Sequence, residues 1–465
     1  MKKQYVTFLV CIIGLLLFHS DIDAKKKPSI SAESAIVMDV QSGTILYEKN
    51  MDKKQYPASI TKIMTALIAI ENSSLSETVT YSREAVTNLE INASNIEIKP
   101  GEKLSMEDSL YAILLMSANE ACNGVAEHIA GGIDNFVKMM NVRAKQLGCT
   151  NTHFANANGL WMKNHYTSAH DMAIISREAY RNPTFAKITG TKRYNIDKTN
   201  KSGPRYLYNH HGMLYASVFS QYLYEYCVGG KTGFTIKCRY TLVTYAKKDN
   251  MTLVSVIMKA PNSPWTEPNQ YTDTTKILNH CFENYDRHAI NQNANMSIND
   301  NNLFTQFSPY YNSKQSPLTF EQNAGVLLPK GVPLNQAQRK VELYEQPKEI
   351  TNRKKNIGKI TYTYKGKQVG GAEIYYENKS YPVLDDSIDM SKWFDAAIEK
   401  AKEKPFPWKK VILTILIILF SVGSATVTIM RFYSRREHRI RKNHYKRNRR
   451  KESSNERGLY YRKRR

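Results

Sequence analysis

Three short clusters of chemically capable residues follow one another along the 465-residue chain: Ser59-Ile-Thr-Lys62, Ser117-Ala-Asn119 and Lys231-Thr-Gly233. In the first, a hydroxyl and an amine stand three positions apart, and on a helix positions i and i+3 share a face. A serine hydroxyl attacks a carbonyl poorly until a base takes its proton. A lysine amine is such a base only when burial or a neighbouring cation lowers its pKa. Lys231 supplies that cation if its strand lies beside the helix. A serine at a helix start also gathers backbone N–H groups where oxyanion charge would develop. Taken singly, Ser59 reads as an N-cap, Lys62 and Lys231 as surface charges, and Ser117-Ala-Asn119 as an interhelical turn. In this order and context, the three together point to acyl transfer through a serine ester.

The elements that must position these residues are legible around them. Ser34-Ala-Ile-Val-Met-Asp-Val-Gln-Ser-Gly-Thr-Ile-Leu-Tyr-Glu48 reads as two strands turning at Ser42-Gly43. Ile60, Ile63, Met64, Leu67 and Ile68 recur at helical spacing, so a buried helix begins near Ser59, with Pro57 suiting its start. Ser105, followed by Glu107 and Asp108, caps a helix running into Leu114-Leu-Met116. A second helical pattern runs from Glu120 to Gly131-Gly132 and leaves Ser117-Ala-Asn119 at the junction. Further helices are expected at Asp134–Leu147 and His170–Arg181, then strands at Tyr226–Gly229, Tyr240–Tyr245 and Leu253–Met258. Strands at both ends with helices between them describe a sheet covered by a helical region.

Beyond an Asn-, Ser- and Gln-rich stretch at 291–316, short β-rich runs such as Val341–Tyr344, Gly358–Tyr364 and Ala372–Tyr376 form a small all-β module with no catalytic cluster. Residues 389–408 read as a juxtamembrane amphipathic helix, with Trp393 and Phe394 on its apolar face. The N-terminus has the form of a secretory signal peptide over 1–24: Met1-Lys-Lys3, an apolar run from Val6 to Phe18, and Ala24. Val411–Met430 is an uncharged apolar run with the ~20 residues that span a bilayer. The tail at 431–465 holds sixteen Lys and Arg against three acidic residues, the bias of a cytoplasmic flank. That tail supplies more than half of the formal +24, so membrane topology rather than nucleic-acid binding explains the charge. The folded region from residue 25 to about 408 is then extracytoplasmic. Outside the signal, Cys122, Cys149, Cys227, Cys238 and Cys281 match no zinc spacing and read as small buried hydrophobes, although a Cys227–Cys238 bridge is conceivable.

With their flanks, these motifs resemble the D-alanyl-D-alanine carboxypeptidases among the low-molecular-mass penicillin-binding proteins. The similar stretches are Tyr56-Pro-Ala-Ser-Ile-Thr-Lys-Ile-Met-Thr-Ala66, Leu114-Leu-Met-Ser-Ala-Asn-Glu-Ala121, Asn151-Thr-His-Phe-Ala-Asn-Ala-Asn-Gly-Leu160, His165-Tyr-Thr-Ser-Ala-His-Asp-Met172 and Gly230-Lys-Thr-Gly-Phe-Thr235. The resemblance implies an α/β fold of the penicillin-binding and β-lactamase-like transpeptidase type over 25–288, an antiparallel sheet with a helical region. A β-rich domain over 289–388 and one transmembrane helix over 411–430 follow it. It also implies roles: Ser59 as acylated nucleophile, Lys62 as proton acceptor, and Ser117 and Asn119 relaying protons and holding the substrate backbone. Lys231 and Thr232 would bind the terminal carboxylate on the strand that carries Gly233, and the backbone N–H groups of Ser59 and Phe234 would form the oxyanion hole. The implied partners are the peptidoglycan stem pentapeptide, β-lactams as covalent inhibitors and the membrane through the C-terminal helix, with no metal, cofactor or nucleic acid.

The chain departs from the family pattern at three places. Cys238-Arg239 stand where Ala-Gly is usual, Ala157 replaces a Pro, and Lys259-Ala-Pro261 replaces a Gly-containing turn. Arg239 is expected to bring a bulky cation to the site mouth, which would suit an inactive peptidoglycan-binding scaffold. A class A β-lactamase shares the nucleophile motif, but the Glu that activates its deacylating water has no counterpart within Cys149–Asp171. Carboxypeptidase and endopeptidase specificities stay open at this level.

Overall fold

A computed structural model describes residues 27–377, apart from 88, 91–92, 217–219, 262–267, 291–317, 322–323 and 352–353. The signal-like, juxtamembrane, apolar and basic-tail segments at 1–24, 389–408, 411–430 and 431–465 lie outside the described residues. Among the described residues, no helix is long and apolar enough to cross a membrane.

In chain order the strands are β1 (Ser34–Asp39), β2 (Ile45–Lys49), β3 (Thr78–Thr80), β4 (Lys103–Ser105), β5 (Arg193–Ile196), β6 (Arg205–Tyr208), β7 (Cys227–Thr235), β8 (Arg239–Lys248), β9 (Met251–Ala260) and β10 (Tyr285–Ala289). They continue with β11 (Leu318–Phe320), β12 (Gly325–Pro329), β13 (Gln338–Thr351), β14 (Lys354–Tyr364) and β15 (Lys367–Glu377). The helices are α1 (Lys62–Asn72), α2 (Arg83–Thr87), α3 (Met106–Leu115), α4 (Asn119–Ala130), α5 (Ile133–Gln146), α6 (Ala169–Arg181), α7 (Pro183–Gly190) and α8 (Asn269–Asn284).

The main sheet is antiparallel in the order β2-β1-β9-β8-β7. Strand β1 is buried along its whole length, because alternate side chains enter two different cores. Ile36 and Met38 join Val254, Val256 and Met258 of β9 against α1, α3 and α4. Ala35 and Val37 join Leu253 and Ile257 against Ile277, Leu278, Cys281 and Phe282 of α8. The sheet is therefore covered on both faces, not by a single helical region. Helix α8 escaped the periodicity reading because its long aliphatic residues crowd into its second half. The Ser42-Gly43 turn joins β1 and β2 as expected, and the Ser105 hydroxyl caps α3 by accepting from Asp108 N at 2.9 Å.

The second sheet runs β10-β12-β15-β14-β13, with β11 on β15, around Val326, Leu328, Ile357, Ile360 and Ile374. A buried ion pair ties the two sheets: the Arg287 guanidinium of β10 donates to the Asp39 carboxylate of β1 at 3.1 Å. No disulfide joins the five cysteines; all are free, and Cys227 and Cys238 are both buried.

The loop at 151–168 holds the turn that bears Ser59. Gly159 has φ +85° and lies against that turn so closely that a Cβ would stand 2.0 Å from the Ala58 carbonyl oxygen. Buried His165 adds a clamp: its Nδ1 accepts from Ala155 N at 3.1 Å, so Nε2 carries the proton and faces Thr61 Oγ1 at 2.9 Å. Burial pushes the imidazole pKa down to about 3. Between pH 6.5 and 3 the unfolded chain takes up a proton that the folded chain refuses, so stability falls with falling pH across that window. Wild-type protein is expected to lose about 1.4 kcal/mol for each unit below pH 6.5 through this group. His165→Asn is expected to reduce the slope of the melting-point profile between pH 6.5 and 4.5 and to leave the share of His210 and His211, whose pKa values burial lowers to about 4. An unchanged slope in the variant would remove His165 as a contributor to it.

Candidate active site

Ser59 sits in a 3₁₀ turn, Ala58–Thr61, that runs straight into α1, so Lys62 follows it on the same side. The side chain of Ser59 caps nothing. Ala58 before it and Ser117 in the second motif both adopt left-handed backbone, φ 52° and 61°, a conformation costly for residues with a Cβ. Such strain persists only where surrounding structure imposes it. Here the Pro57 carbonyl is held by Thr241 Oγ1 of β8 at 2.8 Å, and Gly159 presses on Ala58.

Lys62 is fully buried. Its Nζ lies 3.0 Å from Ser59 Oγ, 2.9 Å from Asn119 Oδ1 and 2.5 Å from the Asn158 carbonyl oxygen. The Asn119 amide is oriented by its Nδ2, which donates to the Ser94 carbonyl at 2.8 Å and so turns Oδ1 toward the amine. Both carbonyl oxygens can only accept. They use the two N–H bonds of a neutral amine and leave its lone pair for the Ser59 hydroxyl proton. Burial drives the Lys62 pKa down, against the pull of Cys122 and Glu120.

Lys231, on β7, is the second buried cation, with its pKa lowered to about 7 by burial and by the charge of Lys62. Its Nζ donates to the Thr232 carbonyl at 2.9 Å. Lys231 stands behind the cavity wall rather than in it. Gly233 leaves clearance at the nucleophile, since a Cβ there would lie 2.9 Å from Ser59 N and 2.4 Å from Thr241 Oγ1.

These elements border a cavity of about 710 Å³, whose walls include Ser59, Ser117, Asn119, Thr232, Gly233 and Phe234. Lys62 lies beneath Ser59, outside that lining. Among the described residues, Ser117 makes no hydrogen bond through its hydroxyl. All eight residues singled out in the sequence thus converge on one site. Arg239 does not line it: Cys238 is buried, while Arg239 is exposed at the β7–β8 turn with φ 56°. The cation at the mouth is Lys237. Asn158, His210 and Trp161 belong to the site and were not singled out, although Asn158 lies in one of the stretches carrying the family resemblance. Among the described residues, no group of three His, Cys, Asp or Glu is placed to hold a metal.

Comparison with known proteins agrees with this geometry. The family model described as D-alanyl-D-alanine carboxypeptidase matches residues 21–262. The D-alanyl-D-alanine carboxypeptidase DacF of Bacillus subtilis is 33% identical over 301 residues, 62% of this chain and 73% of the relative. DacA of Haemophilus influenzae is 30% identical over 390 residues, 81% of this chain and 93% of the relative. Among solved structures, penicillin-binding protein 5 from Haemophilus influenzae matches with a TM-score of 0.57 at 26% identity, over 76% of this chain and 98% of that one. The carboxypeptidase from Mycobacterium tuberculosis H37Rv matches at 0.51 and 30%, over 56% and 95%. By its family match and its relatives, this chain belongs to the serine D-alanyl-D-alanine carboxypeptidase family of penicillin-binding proteins.

Proposed function

We propose that the chain removes the terminal D-alanine of peptidoglycan stem peptides by forming an acyl-enzyme on Ser59. The observation that carries this reading is the contact of Lys62 Nζ with Ser59 Oγ at 3.0 Å, while two carbonyl oxygens occupy the remaining hydrogen-bonding capacity of the amine. Ser59 Oγ attacks the carbonyl carbon of the bond between the two D-alanines as its proton passes to Lys62. The developing oxyanion faces the backbone N–H groups of Ser59 and Phe234 on either side of the Gly233 clearance. The C–N bond then breaks, the departing amine takes a proton by way of Lys62 and Ser117, and water releases the shortened peptide from Ser59. Thr232 receives the terminal carboxylate, with the charge of Lys231 behind it. Asn119 holds the substrate backbone as well as Lys62. The same acylation by a β-lactam gives a stable covalent adduct.

The scaffold reading depended on a cation at Arg239 obstructing the site, and Arg239 stands outside the cavity lining. The apolar run at 411–430 and the basic tail at 431–465 support a single-span membrane anchor with the enzyme outside and the tail in the cytoplasm. The 1–24 segment supports export.

Wild-type protein is expected to release D-alanine from a diacyl-D-Ala-D-Ala peptide and to be labelled by fluorescent penicillin. Ser59→Ala is expected to do neither, and Lys62→Met to slow acylation by about 10²–10⁴. Release by Ser59→Ala at the wild-type rate would exclude this mechanism. The acylation rate is also expected to rise about tenfold per pH unit and then level off at a pH well below the ordinary lysine value of 10.5, as Lys62 gives up its proton. A rising limb centred near pH 10.5 would mean that Lys62 carries an ordinary lysine pKa.

A further inference from the structure

The cavity extends well past Ser59 along the β7–β8 turn. Strand β7 is the free edge of the main sheet, and an extended peptide laid along it can add as a further strand. In the proposed reading, the terminal carboxylate lies by Thr232 and the scissile bond by Ser59 and Gly233. The residues preceding that bond must therefore run past Phe234, Ile236 and Lys237. This part of the wall is unusually apolar for a surface. Ile236 is 88% exposed, Phe234 44% and Trp161 37%, and all three line the cavity. Phe234 leans on Tyr240, with ring centroids 4.7 Å apart. Contiguous exposed apolar groups at a cavity mouth mark a binding surface.

A cation is fixed at the end of this shelf. Lys237 Nζ stands 3.6 Å from the centroid of the Trp161 ring, joining the β7–β8 turn to the 151–168 loop. Among the described residues, Lys237 makes no ion pair, so its outer face is open to a ligand anion. Exposed Arg239 adds positive charge two residues on. The acidic side chain lining the cavity, Glu90, belongs to the loop that carries Ser94, the partner of Asn119, and not to this turn.

We infer that Trp161, Phe234, Ile236, Tyr240 and Lys237 form a subsite for the residue preceding D-Ala-D-Ala, selecting an aliphatic side chain that ends in an anion. The methylenes lie on the apolar shelf and the terminal anion meets the Lys237 ammonium. The inference rests on the carboxypeptidase reading, because that reading sets the direction of the peptide in the groove.

The test uses the full chain in detergent and three peptides, Nα-acetyl-X-D-Ala-D-Ala with X as L-α-aminoadipate, L-norleucine or L-lysine. The expected order of kcat/KM is aminoadipate, then norleucine, then lysine, with about fivefold between the first and last. Lys237→Met is expected to bring the aminoadipate-to-lysine ratio near one, Lys237→Glu to invert it and Lys237→Arg to keep it. Trp161→Ala is expected to lower kcat/KM for both aminoadipate and norleucine. Equal kcat/KM for the three peptides in wild type, or a ratio unmoved by Lys237→Glu, would overturn the subsite while leaving the carboxypeptidase reading intact. Absence of both penicillin labelling and D-alanine release from any peptide would instead overturn the carboxypeptidase reading, and the subsite with it.

Discussion

The site depends on one buried amine. Lys62 is enclosed among the 3₁₀ turn, the α3–α4 junction and the 151–168 loop, each of which gives it one oxygen: Ser59, Asn119 and Asn158. Removing an ammonium from water without a close counter-ion is costly, and the cheaper state is the neutral base. The surrounding constraints follow. Ala58 and Ser117 are held in left-handed backbone, and Gly159 and Gly233 keep side chains out of spaces next to the nucleophile's turn. Asn119 is oriented from behind by Ser94, so that its carbonyl and not its amide nitrogen meets the amine. A second buried lysine, Lys231, has its own pKa lowered to about 7 by burial and by its nearness to Lys62.

Much of this was legible in the sequence, for identifiable reasons. The Ser59-to-Lys62 spacing encodes a shared face, and the structure keeps that face even though the turn begins as 3₁₀ rather than α-helix. The apolar run Ala35-Ile-Val-Met38 encodes a strand buried on both sides, which implies two cores; the second was missed because the aliphatic residues of α8 lie only in its second half. The Asn158 contact was not legible, since a backbone carbonyl leaves no residue-type signature. The identity of the cation at the mouth was not legible either. Sequence counting put Arg239 there, but the register of β7 with β8 pairs Thr235 with Arg239 and turns Lys237 toward Trp161.

Among the described residues, the second sheet contributes no side chain to the cavity lining. It meets the main sheet through the almost wholly buried Arg287–Asp39 pair, through Leu327 in the core shared with Val37, Leu253 and Ile257, and at the surface through Lys367–Glu48 at 3.4 Å, while Arg181 of α6 pairs with Glu321 at 2.6 Å. Breaking a buried pair costs far more than breaking an exposed one, so among these ion pairs Arg287–Asp39 matters most. Asp39 also receives Ser42 N at 2.7 Å, which places the β1–β2 turn and the second sheet on a common carboxylate. The β-rich module thus meets the main sheet at β1 and β2, whereas β7 forms the opposite edge.

The most direct test of this picture is the protonation state of Lys62 itself. Nuclear magnetic resonance of the side-chain Cε and Nζ, assigned by comparison with Lys62→Arg, can follow that group through a pH titration of the unacylated protein. The amine is expected to titrate well below the ordinary lysine value of 10.5 and to be neutral at the pH where acylation is fastest. A Lys62 that remained an ammonium up to pH 10 in an otherwise folded, penicillin-reactive protein would contradict the account.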